Sequence, residues 1–353
     1  MSDALGAARP GESPPAPRSA PAFAALDLGT NNCRLLIAQR TLRGFKVVDA
    51  YSRIVRLGEG LGQSGRLSDA AMERAISALK VCADKIRRRA PVKVRAIATQ
   101  ACRTAANGAE FLARVHARTG LSLDVITPRE EARLSVAGCS NLIDPGAQGA
   151  LVLDVGGGST EIAWLDLRGR RDRGQIPPIA AWLSIPIGVV SLAERFPEGG
   201  RLHETWYREM VDAVKAPIAA FAGPERLRGL FQTGRTHLIG TSGAITSLAG
   251  LHLGLARYER SKVDGLWMTR AECEAVRARL AKLSHAERAA QPCIGPDRAD
   301  LVLAGAAILE AVQESWPCER VRVADRGLRE GMLLSLMNER RRRGGRRARR
   351  ARR

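Results

Sequence analysis

The sequence predicts an α/β protein built from two similar lobes. In both halves of the chain, short apolar runs typical of strands alternate with longer amphipathic segments typical of helices. Two segments, DLGTNN at 27–32 and DVGGGSTE at 154–161, place an acid and then small residues at the end of an apolar run. Each pattern predicts a strand, a tight turn and a returning strand. Two turns of one design, about 127 residues apart, predict two lobes that grip one ligand from both sides.

The elements of the first half can be predicted in order. Residues 1–21 are rich in Pro, Ala, Gly and Ser and are expected to be disordered. The helix over Ser68–Arg89 has a clear apolar face, a serine that can cap its start and arginines at its end. The other predicted elements are strands at Phe23–Leu28, Arg34–Gln39, Phe45–Ala50, Val92–Ala98 and Leu121–Ile126, and helices at Gly108–Arg118 and Arg129–Cys139.

The second half repeats this alternation. The central hairpin at 151–164 is followed by predicted strands at Leu183–Ile187, His237–Gly240 and Val321–Ala324. Helices are predicted from Gly188, over His203–Ala222, from Ala244, over Ala271–Leu283 and Arg298–Glu314, and from Asp325 to about Arg342. We interpret Asp325 as the N-cap of the last helix, in preference to a role in a site. We interpret Arg298 as a charge at a helix start; the alternative is that it reaches a long phosphate chain.

The charge of the chain favours a polyanionic partner. The net charge is +20, and ten of these charges are arginines between Arg340 and Arg353. Such a run attracts nucleic acid, polyphosphate or an acidic membrane surface. The alternative is a solvated tail without a dedicated partner.

Other features restrict the class of protein. No apolar run is long enough to span a membrane, and the N-terminus lacks the pattern of a secretory signal. The seven cysteines form no C-x-x-C pair, and the five histidines have no metal-ligand spacing. We therefore expect a protein of the reducing cytoplasm.

The two turns suit phosphate binding. Small residues let the backbone approach a ligand closely, adopt a positive φ at little cost and direct several N–H groups at one anion. The residues expected to bind phosphate are Gly29, Thr30, Asn31, Gly156, Gly157, Gly158, Ser159 and Thr160. Ser242 and Gly243 form a third small-residue turn that either caps a helix or contacts a phosphate or nucleoside.

Acids beside these turns point to a metal ion. Asp154 and Glu161 bracket the second turn, and Asp27 precedes the first. A carboxylate beside a phosphate is tolerable mainly when Mg²⁺ lies between them. The alternative is a pair of ordinary hairpin turns with solvated acids. No G-x-x-x-x-G-K-[ST] segment is present, which excludes a P-loop NTPase.

These segments give the chain its resemblance to the Ppx/GppA phosphatases, which are exopolyphosphatases and guanosine pentaphosphate phosphohydrolases of the actin-like superfamily. The matching segments, in order from Phe23 to about Leu336, are DLGTNN, RLGEGLGQSGRLS, TQACR, EEARL, DVGGGSTE, GTSGAITSLAG, RADLVLAG and DRGLREGML. The resemblance implies two actin-like (ribonuclease H-like, ASKHA) domains with a cleft between them. The first would span 22–130 and include the C-terminal helix at about 326–342, and the second would span 131–325. The arginine-rich end at 343–353 is expected to be disordered.

The resemblance also implies roles for single residues. Glu131 matches the catalytic base, which takes a proton from a water that attacks the terminal phosphorus. Glu130 is adjacent and looks equally suitable by composition, so only the register of the motif separates the two. Arg103 matches an arginine that faces the phosphate. Asp27, Asp154 and Glu161 are the expected Mg²⁺ site.

The leading hypothesis is a Mg²⁺-dependent exopolyphosphatase, because a long polyanion suits a basic chain. Hydrolysis of guanosine pentaphosphate (pppGpp) by the same groups is the main alternative. A sugar or acetate kinase of the same superfamily, and a polyphosphate- or RNA-binding regulator without turnover, are further alternatives. A homodimer is usual in such families.

Overall fold

The computed structural model describes residues 20–42, 44–169, 175–199 and 203–338. These residues form an α/β fold with two mixed β-sheets, one in each half of the chain. Most of the segment predicted to be disordered at the N-terminus, and the whole of the arginine-rich end, lie outside the described residues.

The first lobe contains the five-stranded sheet and the helices packed on it. Its strands are β1 (Ala22–Leu28), β2 (Asn32–Thr41), β3 (Gly44–Ile54), β4 (Lys93–Ala98) and β5 (Asp124–Val125). Its helices are α1 (Leu61–Ser64), α2 (Asp69–Arg89), α3 (Gln100–Thr104) and α4 (Gly108–Thr119). The strand order is β3-β2-β1-β4-β5, with the β1–β2 and β2–β3 pairs antiparallel and the rest parallel.

Helix α2 forms where the sequence predicts it. The Ser68 hydroxyl accepts a hydrogen bond from Ala71 N at 3.2 Å and so caps the first turn. Met72, Ile76 and Leu79 are buried against the sheet, as the helical spacing of its apolar residues requires.

The second lobe contains the six-stranded sheet. Its strands are β6 (Gly149–Val155), β7 (Thr160–Asp166), β8 (Ile179–Ile185), β9 (Thr236–Thr241), β10 (Trp267–Thr269) and β11 (Arg320–Ala324). The helices from the first lobe onward are α5 (Pro128–Cys139), α6 (Val189–Arg195), α7 (His203–Ala219), α8 (Arg228–Phe231), α9 (Gly243–His252), α10 (Arg260–Val263), α11 (Arg270–Ala281), α12 (His285–Ala289), α13 (Val302–Ser315) and α14 (328–338).

The second sheet repeats the order of the first. Read from β8, it runs β8-β7-β6-β9-β11-β10, and its two hairpins are antiparallel while β6, β9 and β11 are parallel. The first five strands therefore match β3-β2-β1-β4-β5 in both order and direction. This duplication gives the predicted fold of two actin-like domains.

Helices α5 and α14 cross where the chain passes between the lobes. A Cβ at Gly138 would collide with the carbonyl oxygen of Gly327, and one at Gly331 with that of Leu134. Beyond this crossing, Met332 and Leu333 of α14 pack against the first sheet. The last helix of the described residues therefore returns to the first lobe.

Several predicted elements differ from the structure. The helix predicted over Arg298–Glu314 is divided into a 3₁₀ turn at Pro296–Arg298 and α13, which are separated by a turn at 299–301. The interpretation of Asp325 as an N-cap is wrong: α14 begins at 328, and the Asp325 carboxylate accepts a hydrogen bond from the Tyr258 hydroxyl at 2.8 Å.

The described part of the chain contains no helix that is both long and apolar enough to cross a membrane. All seven cysteines are buried as free thiols. The sulfur atoms of Cys33 and Cys82 are 3.9 Å apart inside the first lobe.

Candidate active site

A cleft of about 350 Å³ lies between the two lobes. The β1–β2 turn enters it from the first lobe, and the β6–β7 turn and the start of α9 enter it from the second. Of the residues predicted from sequence, those that line it are Asp27, Gly29, Thr30, Asn31, Glu131, Asp154, Gly156, Gly157, Gly158, Ser159, Ser242 and Gly243.

The two turns are in direct contact. A Cβ at Gly157 would lie 2.9 Å from the backbone nitrogen of Asn31 and 3.1 Å from the Cβ of Thr30. A Cβ at Gly158 would lie 3.0 Å from the Thr30 hydroxyl. The glycines are thus required for space between the lobes. The expectation of a positive φ is wrong for 156–158, since none of them adopts one.

The turns leave backbone donors available. Gly29 N donates to Asn32 O at 2.8 Å and Gly156 N to Ser159 O at 2.9 Å, so the first glycine of each turn closes it. Among the residues that the structure describes, the N–H groups of Thr30, Asn31, Gly157 and Gly158 donate to no backbone or side-chain acceptor. Four unpartnered N–H groups at one junction form a nest that can bind an anion.

The start of α5 separates the two adjacent glutamates. The Thr127 hydroxyl accepts from Glu130 N at 3.2 Å and fixes the register of the helix. Glu130 forms ion pairs with Arg95 at 3.0 Å and Arg133 at 2.7 Å, and its hydrogen bonds to Arg133 and Arg95 hold its pKa below the usual value. Glu131 points inward instead, and only 10% of its side chain is exposed.

Glu131 is held in an environment that favours its neutral form. Burial raises its pKa well above the ordinary value, and the nearby carboxylates of Glu161 and Asp154 raise it further. An Arg103 nitrogen lies 3.5 Å from Glu131 Oε2, yet this oxygen has no hydrogen bond among the described residues. In its charged form, a buried carboxylate with a raised pKa and a free oxygen has a high affinity for a proton, as a general base requires.

Three of the predicted site residues do not line the cleft. Arg103 donates to the Ile126 carbonyl at 2.7 Å and lies behind Glu131. The Thr160 hydroxyl donates to Ile187 O at 2.7 Å, so it stabilises the backbone at Ile187 and does not line the cleft. Glu161 is 2% exposed, and its Oε1 accepts from the Ser184 hydroxyl at 2.9 Å.

The carboxylates predicted to bind metal are buried, and nearby cations and hydrogen bonds do not fully stabilise their negative charge. Burial raises the pKa of Asp27 to about 6, although Arg34 and Arg329 oppose this, and it raises the pKa of Asp154, whose carboxylate accepts from Ser135. Burial and then Asp154 raise the pKa of Glu161 to about 7. Asp27 Oδ1 and Glu161 Oε2 are buried without a hydrogen-bond partner.

This chemistry fits a cation. Buried negative charge that lacks partners is costly, and a bound cation would compensate it. In the described ranges, no group of three or more His, Cys, Asp or Glu side chains is arranged to hold a metal ion by itself, so the three predicted acids do not form a complete site. Mg²⁺ commonly uses only one or two carboxylates and completes its shell with water and substrate phosphates.

Apart from Arg298, for which contact with a phosphate chain was an alternative, the arginines of the cleft were not predicted from the sequence. Arg34, Arg260, Arg298, Arg326 and Arg329 all line it. Arg34 lies opposite Asp27 across the β1–β2 pair, so the register of the predicted hairpin could have located it. The interpretation of Arg298 as only a charge at a helix start is incomplete, since its side chain also borders the cleft.

The third turn has an unusual backbone. Ser242 adopts φ 153°, a conformation that side chains rarely adopt, and its hydroxyl accepts from Ile245 N at 3.2 Å. Ser242 therefore caps α9 and also lines the cleft, so the two predicted roles do not exclude each other. Strain of this kind often accompanies a functional site.

Comparison with known proteins agrees with the resemblance found in the sequence. The model of the Ppx/GppA phosphatase family matches residues 36–340. The chain is 28% identical to a family member from Aquifex aeolicus, with a TM-score of 0.72 over 90% of this chain and 98% of that chain. It is 28% identical to an exopolyphosphatase-like protein, with a TM-score of 0.78 over 89% and 97% of the two chains. An exopolyphosphatase from Cytophaga hutchinsonii, at 23% identity, shares the fold with a TM-score of 0.79 over 90% and 98%.

Proposed function

The chain belongs to the Ppx/GppA phosphatase family, and from that premise we propose that it releases terminal orthophosphate from inorganic polyphosphate, with Glu131 as general base and Mg²⁺ as metal ion. The observation that carries this proposal is the junction of the two turns. Unpartnered N–H groups from both lobes meet there, beside a buried carboxylate with a free oxygen.

The proposed reaction begins with binding of the chain end. The N–H groups of Thr30, Asn31, Gly157 and Gly158 bind the phosphate oxygens, and the arginines of the cleft attract the rest of the polyanion. Phosphoryl transfer depends mainly on positioning and on neutralisation of charge. This arrangement supplies both.

Glu131 then takes a proton from the attacking water. The oxygen of that water bonds to the terminal phosphorus, the anhydride bond breaks, and the shortened chain leaves with the electron pair. Arg103, which is held by the Ile126 carbonyl, keeps the Glu131 carboxylate in place. Asp27 and Asp154, which line the cleft, are the residues that would hold Mg²⁺, with Glu161 buried opposite Asp154 on the neighbouring strand. When bound, the ion would neutralise charge on the phosphate oxygens.

Hydrolysis of pppGpp is the second candidate, because the same groups can act on its terminal phosphate. The observation that favours it is Tyr258, the one aromatic residue among the described residues that line the cleft. Its ring could pack against a base. Phosphate release from polyphosphate and from pppGpp, measured side by side, decides between the two.

The role of Glu131 is tested with its neighbour as a matched control. With Mg²⁺ and polyphosphate, Glu131→Gln should lose at least about 100-fold in kcat, the usual contribution of a general base. Glu130→Gln removes an acid that is paired with arginines outside the cleft, and should keep kcat within about twofold. Equal rates in wild type and Glu131→Gln would remove Glu131 from the mechanism.

A further inference from the structure

Residues 55–60, which we call the latch loop, hold the first phosphate turn in place. Val55 N and Arg56 N donate to Asn31 O at 2.8 and 3.1 Å, and Gly58 N donates to Thr30 O at 2.9 Å. A Cβ at Gly58 would collide with the Thr30 side chain. Because these contacts are so close, movement of the latch loop must move the turn.

The same loop is fastened to the second lobe. The two terminal nitrogens of Arg56 contact the two carboxylate oxygens of Asp300 at 3.0 and 3.1 Å, and one of them also donates to Asp297 O at 3.2 Å. Gly60 N donates to Glu194 Oε1 at 2.9 Å. A bidentate pair of this kind has a defined geometry as well as charge attraction.

Glu194 connects the latch loop to the second phosphate turn. It lies on α6, whose first residues are bonded to that turn: Val189 N donates to Gly156 O at 3.0 Å and Val190 N to Gly157 O at 2.8 Å. The two turns are therefore connected outside the cleft by a continuous path through the latch loop and α6.

The first lobe supports the latch loop through Arg74. Its guanidinium donates to Val55 O at 2.9 Å, to Arg56 O at 3.2 Å and to Glu59 at 2.6 Å. The ion pair to the second lobe is also partly exposed to solvent: 32% of the Arg56 side chain and 37% of that of Asp300 are accessible. Solvent and salt weaken an ion pair at such exposure, so the contact between the latch loop and the second lobe can break and re-form.

We propose that the latch loop reversibly closes the cleft, and that Arg56, Glu194 and Asp300 are positioning residues that set the gap between the two phosphate turns. The chain already joins the lobes at the crossing of α5 and α14. The latch is a second, weaker connection, and its opening would separate Gly157 from Asn31. The kinetic consequence rests on the proposed function, whereas the structural consequence does not.

Opening can be measured without substrate. Spin labels at Lys80→Cys on α2 and Ala278→Cys on α11 report the distance between the lobes, because both positions are exposed and the native cysteines are buried. Asp300→Asn and Arg56→Asn each break the pair, and Asn tolerates the φ of 46° found at position 56. Both variants should broaden the distance distribution relative to wild type.

Kinetics separate positioning from catalysis. If only a fraction of the protein is closed, the apparent affinity for polyphosphate is reduced to that fraction of the affinity of the closed form. Saturating polyphosphate restores the closed state. KM should therefore rise about threefold to tenfold, with kcat within about twofold of wild type. The charge-reversed double variant Arg56→Asp/Asp300→Arg should recover both the narrow distance distribution and the low KM. Arg118→Asn breaks a pair of similar exposure with Glu73 inside the first lobe and should change neither quantity.

Two results would overturn the proposal: unchanged distances in both single variants, or a charge-reversed variant as impaired as the single variants. A wild-type protein that releases no phosphate would instead overturn the proposed function, and the distances alone would then decide on the latch.

Discussion

At the scale of single residues, two buried acids, one lining the cleft and one beside it, make stability depend on pH. The pKa of Asp27 is raised to about 6 and that of Glu161 to about 7, mainly by burial. An unfolded chain would release these protons near pH 4. Because the folded state binds them more tightly, these two groups stabilise the fold below about pH 4 and lose that contribution as pH rises to about 7.

We therefore expect the free energy of unfolding of the Mg²⁺-free protein to contain a component that falls by about 5 kcal/mol between pH 4.5 and pH 7.5, about 2 from Asp27 and about 3 from Glu161. Urea denaturation in EDTA measures it as the difference between wild type and the Asp27→Asn/Glu161→Gln variant. The difference is needed because His237, whose pKa burial lowers to about 4, contributes with the opposite sign. If Mg²⁺ binds these acids, its addition should remove the component, since a cation favours their charged forms. A pH dependence identical in both proteins would contradict the prediction.

The distinction between Glu130 and Glu131 shows the limit of sequence reasoning at this scale. Composition gives both residues the same chemistry, and the motif alone favours Glu131. The orientation is decided by the Thr127 cap and by Arg95, which comes from β4 and is far away in sequence. A partner of that kind cannot be identified from the local pattern.

At the scale of elements, the crossing of α5 and α14 depends on glycine. A Cβ at Gly331 would collide with the carbonyl oxygen of Leu134, and backbone cannot move aside as a flexible side chain can. Of the two crossing helices, α5 carries Glu131, and the residues immediately before α14 line the cleft.

Gly331→Ala should therefore destabilise the protein by about 1–3 kcal/mol despite the higher helix propensity of alanine. Gly229→Ala in α8 is the matched control, because a Cβ there meets no atom within 4 Å and the residue is exposed. The control should leave stability unchanged or raise it by up to about 1 kcal/mol. Chemical denaturation measures both, and an equally stable Gly331→Ala variant would show that the helices can separate without cost.

The elements that the sequence predicted well are those whose pattern is local. Both hairpins and α2 follow from apolar spacing and turn residues, and the structure has them. The three-residue strand β10 was missed because its pairing with β11 depends on residues more than 50 positions away. The turn at 299–301 was missed because the apolar periodicity of Arg298–Glu314 continues through it, yet it places Arg298 in the cleft and Asp300 beside Arg56.

At the scale of the whole molecule, the paired turns were sufficient to predict a duplicated fold and a shared cleft. The contact between Gly157 and Asn31 could not be predicted from the sequence, because it depends on how two complete lobes pack against each other. The arginine-rich end could be predicted only as a source of charge, and it lies outside the described residues.

That charge leads to a prediction about substrate length. The ten arginines between Arg340 and Arg353 supply half of the net charge of +20. A long polyphosphate whose end occupies the cleft still has phosphates left to bind other cations, whereas a short one does not. Deletion of 340–353 should therefore weaken binding of long chains. It should also reduce the slope of log K against log salt, by about 0.7 for each phosphate that the arginines no longer neutralise on a single-stranded polyanion. Turnover of short chains should not change.

Binding titrations at several salt concentrations, with long and short polyphosphate, measure both effects. If the deletion leaves the salt dependence for long chains unchanged, the tail takes no part in substrate binding. The arginines of the cleft must then produce the whole salt dependence.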